Sequence, residues 1–229
     1  MAACVLPHPP ALVPEATGQR AGELAGLRGQ CERAVERLFA ARPELVVLVG
    51  DGDRTASHRG PVAGTLRPFG VELTVGSGDP VLPLSLTVGR WLLGRRAERV
   101  PLHFESLARD LAPADCAALG ADVARRSPRT ALVVLGDGSA CRDEEAAGYC
   151  EPDAVEHDDH VAAALARGDT AALAELDPGT AARLLVAGRA GWQVLAGAAS
   201  DGPDRADLLG HEAPYGVGYF VASWEFADR

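Results

Sequence analysis

The chain has 229 residues, 22 basic and 32 acidic side chains, and a formal net charge of −10. That length suits one domain with a substantial core, and an apolar fraction of 47% beside 24% charged residues excludes wholesale disorder. The acidic balance speaks against a nucleic-acid partner, which needs a basic footprint, and against an anionic membrane surface.

No apolar run reaches the roughly 18 residues that a membrane-spanning helix needs. The opening Met1 to Pro14 has neither the basic start nor the apolar stretch of a secretory signal, so a cytoplasmic location is expected. Every basic residue is Arg, and Lys, Ile and Asn are absent, which is the mark of a GC-rich coding sequence. Without lysine, neither a Schiff-base enzyme nor a P-loop phosphate site is available. The five cysteines, Cys4, Cys31, Cys116, Cys141 and Cys150, include no CxxC spacing. Reduced thiols are expected rather than a disulfide framework or a zinc ribbon.

Along the chain, Ala2 to Leu6 reads as a strand that stops at Pro7-His8-Pro9-Pro10. A helix is predicted over Gly18 to Arg42, where Leu24, Leu27, Cys31, Val35 and Leu38 recur at helical steps and Pro43 ends the pattern. Leu45 to Val49 is a wholly apolar strand suited to a buried parallel sheet. A long loop rich in Gly, Asp and Arg comes next, from Gly50 to Phe69. Val71 to Val75 reads as a strand, Pro83 to Arg96 as a helix, Val100 to Phe104 as a strand, and Pro113 to Arg126 as a helix with proline in its first turn. Ala131 to Leu135 is the second buried strand. Helices are predicted over Pro152 to Arg167 and Pro178 to Ala199, and Tyr215 to Trp224 is a closing strand. Strands alternating with helices, and no linker, predict a single domain over residues 1–229. Its expected fold is α/β, a three-layer αβα sandwich around a mostly parallel or mixed central sheet.

Two segments echo each other: Leu45–Asp53 (LVVLVGDGD) and Leu132–Ala140 (LVVLGDGSA) each run from a buried strand into Gly-Asp-Gly. Ligands of open α/β sheets sit outside the carboxyl ends of the strands. That rule places His8, Asp51, Asp53 and Asp137 on one rim. His8 stands out, because flanking prolines fix its backbone and a rigid loop suits a metal ligand or a base. His58, in the loop after the second strand, could reach the same rim. Glu212, just before the glycine-rich closing strand, could add a carboxylate. Histidine with carboxylates and open positions is the donor set of mononuclear non-haem Fe(II) enzymes. His8, Asp51, His58 and Glu212 are therefore the candidate metal ligands, and Asp137, Ser139 and Tyr215 the candidate lining of a small-molecule pocket. Asp51, Asp53 and Asp137 alone would instead suit metal-dependent hydrolysis. His157 and His160, in an acidic stretch, read as a solvated helix start, and His103 as a structural histidine. The apolar and aromatic residues of Tyr215 to Trp224 would suit the interface of a homodimer.

The opening Cys4–Glu15 (CVLPHPPALVPE) resembles that of the catalytic B subunit of class III extradiol ring-cleavage dioxygenases. The run Leu184–Ala198 (LLVAGRAGWQVLAGA) and the end Ala213–Trp224 (APYGVGYFVASW) resemble the actinobacterial branch of that family. The resemblance covers most of the chain. It implies an αβα fold in which two histidines and a glutamate hold Fe(II), a further histidine serves as acid and base, and dioxygen opens a catechol-like small molecule. Carried over, the first ligand matches His8 and the carboxylate Glu212. The second histidine's turn is here Gly50-Asp51-Gly52, so Asp51 stands in its place unless His58 reaches back. Aspartate there would favour harder ions such as Mn(II); Zn(II), or no metal at all, is a further alternative. Ser139 is followed by Ala140 and Cys141, so the acid/base histidine is missing. The departures leave two readings: a metal-dependent dioxygenase-like enzyme, or a catalytically degenerate relative that serves as a binding or scaffold protein.

Overall fold

The computed structural model describes residues 1–144 and 149–227. In chain order the strands are β1 (Ala2–Leu6), β2 (Leu45–Gly52), β3 (Ala56–Arg59), β4 (Ala63–Thr65), β5 (Thr74–Gly76), β6 (Pro80–Leu82), β7 (Leu102–Ala108), β8 (Thr130–Leu135), β9 (Arg205–Glu212) and β10 (Tyr219–Glu225). The α-helices are α1 (Pro14–Thr17), α2 (Ala25–Ala40), α3 (Leu84–Leu93), α4 (Pro113–Ala124), α5 (Ala154–Arg167), α6 (Thr170–Ala174), α7 (Pro178–Arg183) and α8 (Arg189–Ala198).

Seven strands form the central sheet in the order β3-β7-β2-β8-β1-β10-β9, and β4, β5 and β6 form a small satellite sheet. The middle four, β7, β2, β8 and β1, are parallel, while β3, β10 and β9 each run antiparallel to their neighbour. The sheet is therefore mixed, with a parallel centre. Successive residues of a strand face opposite sides, and here each side has its own core. Val46 and Leu48 of β2 pack with Leu27, Cys31 and Val35 of α2 and Leu86 of α3. Val47 and Val49 pack with Val123 of α4, Val161 of α5 and Trp192 of α8. The result is the expected three-layer αβα sandwich. Among the described residues no helix is long and apolar enough to cross a membrane.

The elements that differ from the sequence reading do so for identifiable reasons. The sequence does not predict β9. It is a half-buried edge strand, and a bulge opposite Val221 and Ala222 breaks its two-residue alternation. The helix expected over Pro178 to Ala199 is two helices, because Leu185 takes φ 53° between them. Its apolar repeat continues across the break and hides it. The long loop after β2 holds β3 and β4, and β7 runs past Phe104 to Ala108 through the buried Glu105 and Ser106. The segment expected to face a second copy is internal: Phe220, Val221 and Trp224 are buried in the sheet. All five cysteines are free.

A row of charges at the candidate functional site

Each of the four parallel strands contributes a charged residue to a row at its carboxyl end. Across the sheet, in the order β7, β2, β8 and β1, these are Arg109, Asp51, Asp137 and His8. The signs run positive, negative, negative, positive once His8 holds a second proton.

Each residue has a local reason to be there. After β1 the prolines leave little backbone freedom, and the Leu12 amide closes a turn on the Pro9 carbonyl at 3.0 Å. His8 lands at the rim with 5% of its surface exposed. Asp51 belongs to β2 itself, in register with Leu107 of β7. Its carbonyl accepts from the Ser85 hydroxyl of α3 at 2.6 Å, which fixes the strand end. After β8, the Gly136 amide continues the pairing to the Leu6 carbonyl at 3.0 Å, which carries Asp137 alongside β1.

The side chains then close on one another. His8 Nε2 lies 3.1 Å from Asp51 Oδ1. Asp137 Oδ1 accepts the His8 backbone N–H at 2.8 Å and stands 3.6 Å from His8 Nδ1. The other Asp51 oxygen, Oδ2, accepts from Arg109 Nε at 3.0 Å and Nη2 at 2.9 Å. Burial opposes the charged form of His8, but Asp137 beside the ring and the hydrogen bond to Asp51 outweigh it, and its pKa is pushed up to about 9. Burial also works against ionised Asp51, yet His8 and Arg109 hold its carboxyl below the usual range. Asp137 goes the other way: burial, only partly offset by His8, raises it. Asp51 and Asp137 thus favour the doubly protonated form of the ring between them.

Of the remaining candidates, Glu212 ends β9 at the same edge, opposite Tyr219, and its Oε1 is buried with no hydrogen-bond partner among the described residues. His58 is not brought to the rim. It lies on the edge strand β3 opposite Phe104, whereas Asp51 is opposite Leu107. Two inter-strand spacings, roughly 10 Å, separate their strands. Ser139 does not line a pocket: it is fully buried, donates to the Leu184 carbonyl at 2.9 Å and accepts from the Cys141 amide. Tyr215 turns to the surface, where its hydroxyl donates to Glu23 at 2.7 Å beneath Arg20. Asp53 is exposed.

Sequence reasoning missed Arg109, because it ends the preceding strand at Phe104. It also missed a second polar centre. Asp158, expected in a solvated stretch, is fully buried. Its Oδ1 accepts from the Ser139 amide and its Oδ2 from Arg142 Nη1, both at 2.9 Å, and Arg142 also meets His211 Nε2 at 3.3 Å. A Cβ on Gly138 would sit 2.7 Å from Asp158 Oδ1, and one on Gly218 would collide with the same carboxylate. The two glycines make the notch that Asp158 fills, and Gly138 is the neighbour of Asp137.

The donor chemistry of His8, Asp51 and Glu212 would suit Fe(II) or Mn(II), but the geometry does not gather it. Among the described residues no group of three or more His, Cys, Asp or Glu is set to hold a metal ion. Both Asp51 oxygens are engaged within the chain, and the ring nitrogen that would ligate faces one of them. The residues as placed do not fit a resident catalytic iron. A roomy hollow of about 780 Å³ lies at the opposite edge of the sheet, between Arg37, Arg42, Arg129 and Glu225. Asp207 and Glu44 already answer two of its arginines, Arg37 and Arg129, so we take the charged row, not the hollow, as the site.

No family model matches the chain, and no curated protein matches it. Among solved structures it is similar to the uncharacterized protein JW3007 from Escherichia coli K12, with a TM-score of 0.54 and 14% identity over 98% of this chain and 99% of that one. At that identity the likeness speaks for the fold alone.

Proposed function

We propose that the chain is a catalytically silent relative of the class III extradiol dioxygenases, kept as a binding or scaffold protein, with its own charges standing where a metal would be held. The double engagement of Asp51 carries this reading: one oxygen lies 3.1 Å from His8 Nε2, and the other accepts twice from Arg109. A divalent ion would have to displace a proton from His8 and the hold of Arg109 together, and ligation requires the neutral imidazole. The missing histidine after Ser139 supports the same conclusion, since general acid–base help is worth about 10²–10⁴-fold.

One observation favours the second reading, a metal-dependent ring-cleavage dioxygenase acting on a catechol-like small molecule. Glu212 Oε1 is buried at the same edge without a partner among the described residues, and a buried unpaired carboxylate oxygen is costly. An incoming cation would answer it, provided that Arg109, whose side chain is 69% exposed, swung away.

Anaerobic loading with Fe(II), Mn(II) or Zn(II), followed by elemental analysis of the parent and a His8→Ala variant, separates the two. We expect metal far below one ion per chain in both. Near-stoichiometric metal in the parent, lost in the variant, would overturn the silent reading and make a catechol assay the next step.

A further inference from the structure

Arg189 opens α8 and is 1% exposed, yet none of its hydrogen-bond partners among the described residues is a carboxylate. Asp177 senses its charge only through space. Arg189 Nη1 donates to the Leu111 carbonyl at 2.6 Å and to Gln193 Oε1 at 2.9 Å, its Nη2 donates to the Arg109 carbonyl, and its Nε is buried without an acceptor among the described residues. Gln193 is fixed in turn: its amide donates to the Ala174 and Leu176 carbonyls, both at 2.9 Å, which turns its oxygen towards Arg189. Burying a guanidinium that no carboxylate touches is expensive before its hydrogen bonds are counted. A neutral amide could hold a surface turn without that cost. The cation holds the turn over residues 109–111, whose first residue reaches Asp51.

A second contact places α8 at the other side of the same row. The Gly188 amide, one residue before Arg189, donates to the Asp137 carbonyl at 2.9 Å. Adjacent residues at the start of one helix thus grip the backbones of Asp137 and Arg109. The helix is itself seated closely on β8, since a Cβ on Gly191 would lie 2.9 Å from Val134 Cγ1.

We infer that Arg189 is a positioning residue: by fixing the carbonyl of Arg109 it aims that side chain at Asp51 and so holds the charged row closed. The inference takes the row as the site, but it concerns only how the row is held, whatever the row binds.

The test is the Arg109 Nε–H signal in NMR spectra of the full chain, assigned by its loss in Arg109→Ala. In the parent we expect the hydrogen bond to Asp51 to slow its exchange. In Arg189→Met we expect its exchange to quicken by about two- to fivefold while the rest of the spectrum stays folded. In Arg189→Lys, whose ammonium can still bind carbonyls, we expect partial recovery. Gln193→Leu, which leaves the cation but frees it from its anchor, should give an intermediate loss and serves if Arg189→Met does not fold. Protection of Arg109 unchanged in folded Arg189→Met, or in Gln193→Leu where Met is not tolerated, would overturn the inference and leave Arg189 as packing only. Metal content does not enter this readout, so its failure is distinct from failure of the silent-relative reading.

Discussion

Two carboxylate-centred networks among the described residues, those of Asp51 and Asp158, differ in where the arginine stands. At the rim, Asp51 is nearly buried but its partner Arg109 is 69% exposed; in the second centre, Asp158 is wholly buried and Arg142 is only 17% exposed. Exposed pairs are screened by water and salt, whereas removing one member of a buried pair strands the other. On that ground the Arg109–Asp51 contact of the rim is expected to open more readily than the Asp158 centre. The fixed centre also sets the movable one, since Gly138 lies in the Asp158 notch next to Asp137.

If that contrast holds, the largest effect falls on Asp158. Asp158→Ala leaves Arg142 and the Ser139 amide without their acceptor and should cost about 3–5 kcal/mol, a fall of order 10 °C in melting temperature for a chain of this size. A loss below about 1 kcal/mol would erase the contrast.

The rim should show itself next, in the dependence of stability on pH. His8 has a raised pKa in the folded chain, so its contribution is fully present below the ordinary imidazole value and fades as pH climbs through about 9. The gap amounts to about 3 kcal/mol at most. Asp51, held low, contributes the opposite slope: its stabilisation is present above the ordinary aspartate value and fades as acid titrates it. Raised Asp137 opposes Asp51 on the acid side. Denaturant midpoints between about pH 6.5 and 9 should fall steadily in the parent and flatten in a His8→Gln variant. Parallel curves for the two would exclude His8 as the source of the slope. The smallest effect belongs to Arg109→Ala, which should change stability by less than about 1 kcal/mol because its exposed guanidinium is already screened by water, and should do so less at high salt. A loss as large as that of Asp158→Ala would make the rim as rigid as the interior.

Sequence reasoning reached the rim because its logic is local. Buried apolar runs at Leu45–Val49 and Ala131–Leu135 announce parallel strands, and the residues just after such strands lie on one edge; Asp51, Asp137 and His8 come from that rule. It failed where a partner comes from afar. Arg109 depends on how far β7 runs, and polar residues inside the strand, Glu105 and Ser106, masked its length. Asp158 sits among Glu156, His157 and Asp159, so nothing in its surroundings marks it as the residue turned inward. The place of His58 in a long loop suggests the rim, whereas antiparallel pairing with β7 carries it down the edge of the sheet. Edge strand β9 lost its alternation to a bulge, and the α7–α8 break is hidden by an unbroken apolar repeat.

The most direct measurement is the protonation of His8, followed by NMR of the imidazole nitrogens through a pH titration of the intact protein. We expect both nitrogens to be protonated at pH 7, with the ring titrating near 9 and the transition falling when Asp51 is changed to Asn. A neutral ring at pH 7, titrating at or below the ordinary imidazole value, would contradict the closed row of charges: the rim would then offer a free nitrogen donor, and the case for a metal would reopen.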